Sequence, residues 1–256
     1  MRIAVIGGGS WGTTLANMLA KKGVKTALWL HEKELLAEIQ AKRENTWYLP
    51  GITLHASLDV SGDMAHTVEG ADIVLFTVPT QFFRGVLRDV REHLPKKPVI
   101  VCANKGIEVG RLCTISDIVR EEMGGIKHAF AMLSGPSFAK EVSQELPTAI
   151  VLACVDKKVA RDTQQAFSTD YFRVYTNSDV RGVELGGAVK NIIAIAAGIS
   201  DGLGFGSNSR AALITRGLAE MSRLGKAMGA QPQTFMGLAG MGDLVLTCTG
   251  ELSRNR

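Results

Sequence analysis

The chain has 256 residues, 46% apolar and 21% charged, with a formal net charge of +4. That length and balance describe a globular protein with a sizeable core in one large or two smaller domains. The positive excess is mild and has no lysine- or arginine-rich run, which excludes nucleic acid as a partner and leaves attraction of small anions.

The N-terminal half alternates strand and helix patterns. Arg2 to Ile6 is short, apolar and β-branched, as a buried parallel strand should be. Thr13 to Lys22 is predicted as a helix ended by Gly23, Thr26 to Leu30 as a strand, and Glu34 to Lys42 as a helix. An irregular stretch around Pro50 precedes a strong strand from Ile73 to Val78. A helix from Gln81 to His93, a strand from Pro98 to Cys102 and a helix from Thr114 to Met123 follow. Three more apolar runs, Ala129 to Leu133, Thr148 to Ala153 and Phe172 to Tyr175, complete this half. The order implies right-handed βαβ units and a mostly parallel, doubly wound, Rossmann-like sheet covered on both faces.

Near Thr176 the alternation stops, so the predicted division is a dinucleotide-binding unit over residues 1–176 and an all-helical unit over 177–256. Helices are predicted from Val180 to Ile199 and from Ser209 to Met228, joined by a glycine-rich loop over 202–208. No apolar run reaches the length of a membrane span; the one around Lys190 comes closest, and the lysine interrupts it. Cys102, Cys113, Cys154 and Cys248 form no C-x-x-C pair and no zinc spacing, so they read as reduced thiols of a cytoplasmic protein. The strand pattern begins directly after Met1, with no charged-then-apolar leader.

Gly7-x-Gly9-x-x-Gly12 lies between the first strand and the first helix. In that context the first glycine allows a tight turn, the second lets backbone approach a pyrophosphate, and the third permits close helix–strand packing. The helix N-terminus adds free N–H groups and partial positive charge. At the end of the second strand, where NAD-specific folds place Asp or Glu, stand His31 and then Glu32 and Lys33. With no carboxylate at His31 to repel a 2′-phosphate, NADP is expected to be accepted and NADPH preferred. A plain surface histidine is the alternative.

Other polar groups fall at strand ends: Thr77 to Thr80, Asn104-Lys105-Gly106, and Ser134 to Ala139. Lys105 meets an anionic or carbonyl ligand or is a solvated loop residue. Ser134 to Ser137 line the same rim or cap a helix. Lys190 is flanked at helical spacing by Gly186, Gly187, Ile193 and Ala194. An ammonium in a helix apolar on nearly every side faces a small-residue hollow and needs a partner, unless it snorkels outward. Asp243, in a glycine-flanked apolar setting, is the expected partner. Ser253-Arg254-Asn255 reads as a helix start able to cradle a phosphate, or as a loose polar tail.

Together these segments resemble the bacterial-type NAD(P)-dependent glycerol-3-phosphate dehydrogenases. The resemblance rests on residues 7–13, 104–106, 134–139, 184–191, 202–206, 238–243 and 253–255. It implies reversible reduction of dihydroxyacetone phosphate to sn-glycerol 3-phosphate, feeding glycerophospholipid synthesis. It implies that Gly7, Gly9, Ser10, Trp11, Gly12, His31, Lys105, Ala139 and Arg254 line the site for NAD or NADP. It implies that Lys105, Gly135, Ser137, Lys190, Asp243, Ser253, Arg254 and Asn255 hold the substrate, with Lys190 as acid–base residue. No metal is expected, and a homodimer is left open. Family members continue past the Ser-Arg-Asn motif with more helices, so the chain ending at Arg256 is expected to be C-terminally shortened. A related dehydrogenase acting on a hydroxy acid, and a non-catalytic dinucleotide-binding protein, are the rival readings.

Overall fold

The computed structural model describes residues 1–253 and residue 255. The strands are β1 (Arg2–Ile6), β2 (Lys25–Trp29), β3 (Asp59–Ser61), β4 (Ile73–Phe76), β5 (Val99–Cys102), β6 (Ala129–Ser134), β7 (Thr148–Ala153) and β8 (Phe172–Asn177). Helices α1 (Ser10–Lys21), α2 (Lys33–Lys42), α3 (Met64–Val68), α4 (Thr80–Arg91), α5 (Ile115–Glu122), α6 (Ala139–Ser143) and α7 (Lys157–Phe167) intervene. After β8 come α8 (Val180–Gly202), α9 (Gly206–Ala227), α10 (Pro232–Phe235), a π-helical turn (Leu238–Gly242) and α11 (Asp243–Thr249).

Among the described residues the strands form one sheet in the order β3-β2-β1-β4-β5-β6-β7-β8. All pairings are parallel except β6 with β7. The winding reverses between β1 and β4, so a crevice opens beyond their carboxyl ends, where open α/β sheets bind ligands. Alternation along each strand divides the core. Ile3, Val5, Leu28, Leu75, Val101, Leu133 and Leu152 pack on one face. Ala4, Ile6, Val74, Phe76, Ile100, Cys102 and Met132 pack on the other. A third apolar cluster, built on Leu185, Val189, Met221, Phe235 and Leu244, holds the helical region together.

Several expectations are corrected. The stretch around Pro50 leads into β3 and α3, hidden from the pattern because one is a three-residue edge strand and the other a five-residue helix. Helix α7 has a charged sequence, but Ala160, Thr163, Ala166 and Phe167 make one buried face, and Asp156 caps it by accepting from the N–H groups of Lys158 and Val159. The loop over 202–208 shrinks to three residues, because α8 runs to Gly202 and α9 begins at Gly206. Gly204, at φ +73°, turns the chain between them. Ser253 belongs to no regular element and Asn255 lies in a turn; the helix start expected at Ser253 runs into Arg254 and Arg256, which lie outside the described residues.

Helix α8 overturns two readings. By length and composition it can cross a membrane, contrary to expectation. Over half of it is buried against the rest of the protein, with Glu184 and Lys190 inside. It is also not apolar-and-buried all round: Ile192, Ile195 and Ile199 are exposed.

Candidate active site

Glycine geometry shapes the crevice first. Gly7 has φ +115°, and a Cβ on Gly12 would lie 1.9 Å from the Gly7 carbonyl oxygen. Helix α1 therefore starts at Ser10, earlier than predicted, with Gly12 inside its first turn pressed against the end of β1. Above Gly9 the space is open, so a ligand can reach the backbone. No side chain caps α1, which leaves its first N–H groups available. Two side chains hold the turn from behind. Thr77 Oγ1 donates to the Gly7 carbonyl at 2.9 Å. The fully buried Asn45 amide donates to the Gly8 carbonyl and to Thr13 Oγ1, both at 2.8 Å. Nothing in the spacing announces Asn45, because it reaches back across 37 residues of chain.

The rim of the crevice carries the remaining N-terminal residues. Trp11 leans on the core, its ring centroid 6.3 Å from that of Phe172. Thr14 Oγ1 donates to the Ala139 carbonyl at 3.3 Å, joining α1 to the start of α6. His31 is exposed just past β2, 5.9 Å from the Trp29 ring. Glu32 accepts from the Tyr48 hydroxyl at 3.2 Å, which gives its carboxylate a partner of its own.

Lys190, on α8, is 6% exposed and Asp243 is 1% exposed. The Lys190 ammonium donates to Asp243 Oδ1 and to Thr247 Oγ1, the latter at 2.8 Å. Lys105, from the loop after β5, donates to Asp243 Oδ2 at 2.7 Å and to the Gly135 carbonyl at 3.2 Å. One buried carboxylate thus bridges two ammonium groups from different parts of the chain. The predicted partnership of Lys190 with Asp243 holds. Paired in this way, Lys105 is not the solvated loop lysine that was one of its two readings. Thr247 was missed, although it follows Asp243 by one helical turn and shares its face.

The predicted hollow over Gly186 and Gly187 is filled. A Cβ on Gly186 would meet the Ala239 carbonyl oxygen at 2.3 Å, and one on Gly187 would meet Ser134 Oγ at 2.9 Å and Lys105 Cγ at 3.4 Å. The glycines admit the π-helical turn and Lys105 against α8; they do not leave a void. The helix-cap reading of Ser134 to Ser137 also fails. Phe138 stands at the N-cap of α6, Ser134 ends β6, and Ser137 Oγ donates back to the Gly135 carbonyl at 3.1 Å.

Burial pushes the Lys190 ammonium down to about 8, with the Lys105 charge pushing the same way and Asp243 opposing both. Cys248, also near Lys190, is pushed up to about 11 by burial and stays neutral. Two ammonium groups share one carboxylate, so with both lysines protonated this triad carries a net positive charge. Such a place stabilises negative charge developing on a substrate oxygen.

Of the C-terminal motif, Asn255 Nδ2 donates to Asn191 Oδ1 at 3.0 Å, beside Lys190 on α8. Ser253 Oγ is buried with no hydrogen-bond partner. Arg254 lies outside the described residues. The residues present fit a dinucleotide. The open glycine turn has room for a pyrophosphate, and the buried, unpartnered Thr80 Oγ1, Asn104 Oδ1 and Ser134 Oγ stand just past or at the ends of β4, β5 and β6.

Fold and site together are those of a dinucleotide-dependent enzyme with a buried lysine–carboxylate cluster. Comparison with known proteins narrows this. Models of the NAD-dependent glycerol-3-phosphate dehydrogenase N-terminus and C-terminus match residues 2–160 and 179–256. Relatives from Solidesulfovibrio magneticus and Citrifermentans bemidjiense, both glycerol-3-phosphate dehydrogenase (NAD(P)+), are each 62% identical over the whole chain, which spans 78% and 76% of their lengths. The crystal structure of glycerol-3-phosphate dehydrogenase from Coxiella burnetii superposes with a TM-score of 0.95 at 45% identity, over 99% of this chain and 77% of that one. The chain belongs to the NAD-dependent glycerol-3-phosphate dehydrogenase family.

Proposed function

We propose that this chain interconverts dihydroxyacetone phosphate and sn-glycerol 3-phosphate with NAD(P)H. The observation that carries the reading is the buried Lys190–Asp243–Lys105 triad, whose Lys105 follows β5, two strands along the sheet from the glycine turn after β1. The nicotinamide, when bound, supplies or removes the hydride. In the reducing direction negative charge grows on the carbonyl oxygen as its carbon becomes tetrahedral. Lys190 stabilises that charge and delivers a proton, leaving a hydroxyl group and a neutral amine that solvent reprotonates. In the oxidising direction the neutral amine takes the proton back. Lys105 adds positive charge and holds Asp243 from its other side, so the Lys190 head group keeps one orientation.

Ser137, Gly135, Ser253, Arg254 and Asn255 are assigned to the substrate, with the Arg254 guanidinium and its neighbours on the phosphate. The Asn255–Asn191 bond supports this by tying the motif to the helix that carries Lys190. Ser10, Trp11, His31, Lys105, Ala139 and Arg254 are assigned to the dinucleotide. His31, with Lys33 near it and Glu32 held by Tyr48, supports preference for NADPH. A dinucleotide unit over 1–176 and a helical unit over 177–256 belong to this reading, supported by the change from sheet to helices between β8, which ends at Asn177, and α8, which starts at Val180. A cytoplasmic location, a role in glycerophospholipid synthesis and a homodimer belong to the same reading. The test is loss of NADPH absorbance with dihydroxyacetone phosphate as substrate. Turnover of hydroxy acids instead, or NADPH binding without turnover of any keto substrate, would reject it.

A further inference from the structure

The loop that carries Lys105 is fastened to the first turns of α4. Gln81 Nε2 donates to the Ile107 carbonyl and Gln81 Oε1 accepts from the Val109 N–H, both at 2.9 Å. One side-chain amide thus grips the loop backbone at two points. One turn along α4, Arg84 is 8% exposed. Its guanidinium forks onto both oxygens of Glu108, at 2.6 and 2.7 Å. The same guanidinium is held from behind by Glu121 and Glu122 of α5. The loop also closes on itself, with Glu108 N–H donating to the Cys113 carbonyl at 2.9 Å and Leu112 N–H to the Glu108 carbonyl at 3.0 Å. Ile107 packs against the apolar cluster of the helical region.

A bidentate, mostly buried arginine–carboxylate pair is among the more rigid polar contacts a protein makes. Here it stands on a glycine-containing loop otherwise free of regular structure, three residues from Lys105. We propose that Gln81, Arg84 and Glu108 are positioning residues: they fix the Lys105 loop, and through it the Lys105 ammonium against Asp243 beside Lys190. They touch neither substrate nor cofactor. The inference rests on the reading of Lys190 and Lys105 given above.

The charged groups of the site fix the expected direction. Lys190 faces Asp243 and Cys248 from α11 and Lys105 from the loop. A loosened Lys105 no longer adds its repulsion at short range, while Asp243 still attracts, so Lys190 holds its proton to higher pH.

The experiment uses Gln81→Ala, at an exposed position, and Glu108→Gln, which keeps the side-chain shape. Arg84 itself is left intact, because its loss leaves Glu108 without its ion-pair partner, takes one partner each from Glu121 and Glu122, and risks unfolding. Each variant is made alone and on a Lys105→Met background. Expected are kcat losses of about tenfold to about a hundredfold for Glu108→Gln alone, and smaller for Gln81→Ala. Both changes should be silent within about twofold once Lys105 is methionine, because their effect then has no carrier. Affinity for NADPH should stay within about twofold. Independently of turnover, NMR titration of 13C-labelled lysine should show the Lys190 midpoint rising in Glu108→Gln. Losses that multiply on the Lys105→Met background, or a Lys190 midpoint that does not rise, would overturn the proposal. Failure of the Lys190 assignment shows elsewhere, as turnover retained in Lys190→Ala, and leaves both the cycle and the titration readable.

Discussion

A single buried amine does the proton chemistry in this reading, and its surroundings set when it can. Lys190 near 8 is mostly ammonium at neutral pH, so it acts as an acid in reduction and must lose its proton to act as a base in oxidation. Reduction should therefore fall as pH rises through about 8, and oxidation should rise through the same range; stopped-flow rates in both directions check this. Lys190→Ala should lower kcat by about 10²–10⁴-fold while NADPH affinity, measured by fluorescence titration, changes little. Asp243→Asn should act in the opposite sense to loosening Lys105. It removes the charge that raises the Lys190 midpoint, so the basic limb of reduction should move to lower pH. A limb that stays in place would mean that Asp243 only orients the amine.

At the scale of elements, α8 is the beam that carries the site, and small contacts set its height. Gly186 lets the π-helical turn lie against it; a Cβ there would sit 2.3 Å from the Ala239 carbonyl oxygen. Gly186→Ala should cost about 1–3 kcal/mol in chemical unfolding and shift Asp243 relative to Lys190, so activity should fall more than stability suggests. The N-terminal end of α8 is moored to α5 and α10. Asp179 caps it, accepting from the Gly182 N–H, the Gln231 N–H and Thr234 Oγ1. Glu184 accepts from both the N–H and the hydroxyl of Ser116, against a burial that pushes its carboxyl up. Arg181 pairs with Asp117 at 2.8 Å and holds that carboxyl well below the usual range. The native pKa is depressed, so the stabilisation is complete above the ordinary carboxylate range near about 4 and is lost as pH falls below it. Asp117→Asn should flatten the acid side of the stability curve followed by circular dichroism. An unchanged slope would place the acid sensitivity at another carboxylate.

For the whole molecule, the triad joins the sheet to the helical region, with Lys105 from the loop after β5 and Lys190 and Asp243 from α8 and α11. A ligand that binds only this folded arrangement stabilises it by mass action. NADPH at about a hundred times its Kd should add about 2.7 kcal/mol to unfolding, read as a rise in Tm, and should do so in Lys190→Ala as well. No rise at saturating NADPH would show that the glycine turn does not hold a dinucleotide in this chain.

The sheet, the glycine turn and the lysine in an apolar helix were legible because each is a local pattern: buried parallel strands are continuous apolar runs, and a charge in such a run stands out. The pairing of Lys190 with Asp243 was legible because a buried ammonium demands an anion. The amino-acid order alone thus determined the alternating architecture and the amine at its centre. Only the tertiary structure decided that Lys105 shares the carboxylate, that Asn45 braces the glycine turn, and that Gly186 and Gly187 admit backbone and side chain where a hollow was expected. Those contacts join residues dozens of positions apart, and no periodicity encodes them. They exist because the packed sheet and α8 bring distant segments within hydrogen-bond reach, where each buried polar group takes the partner the fold presents.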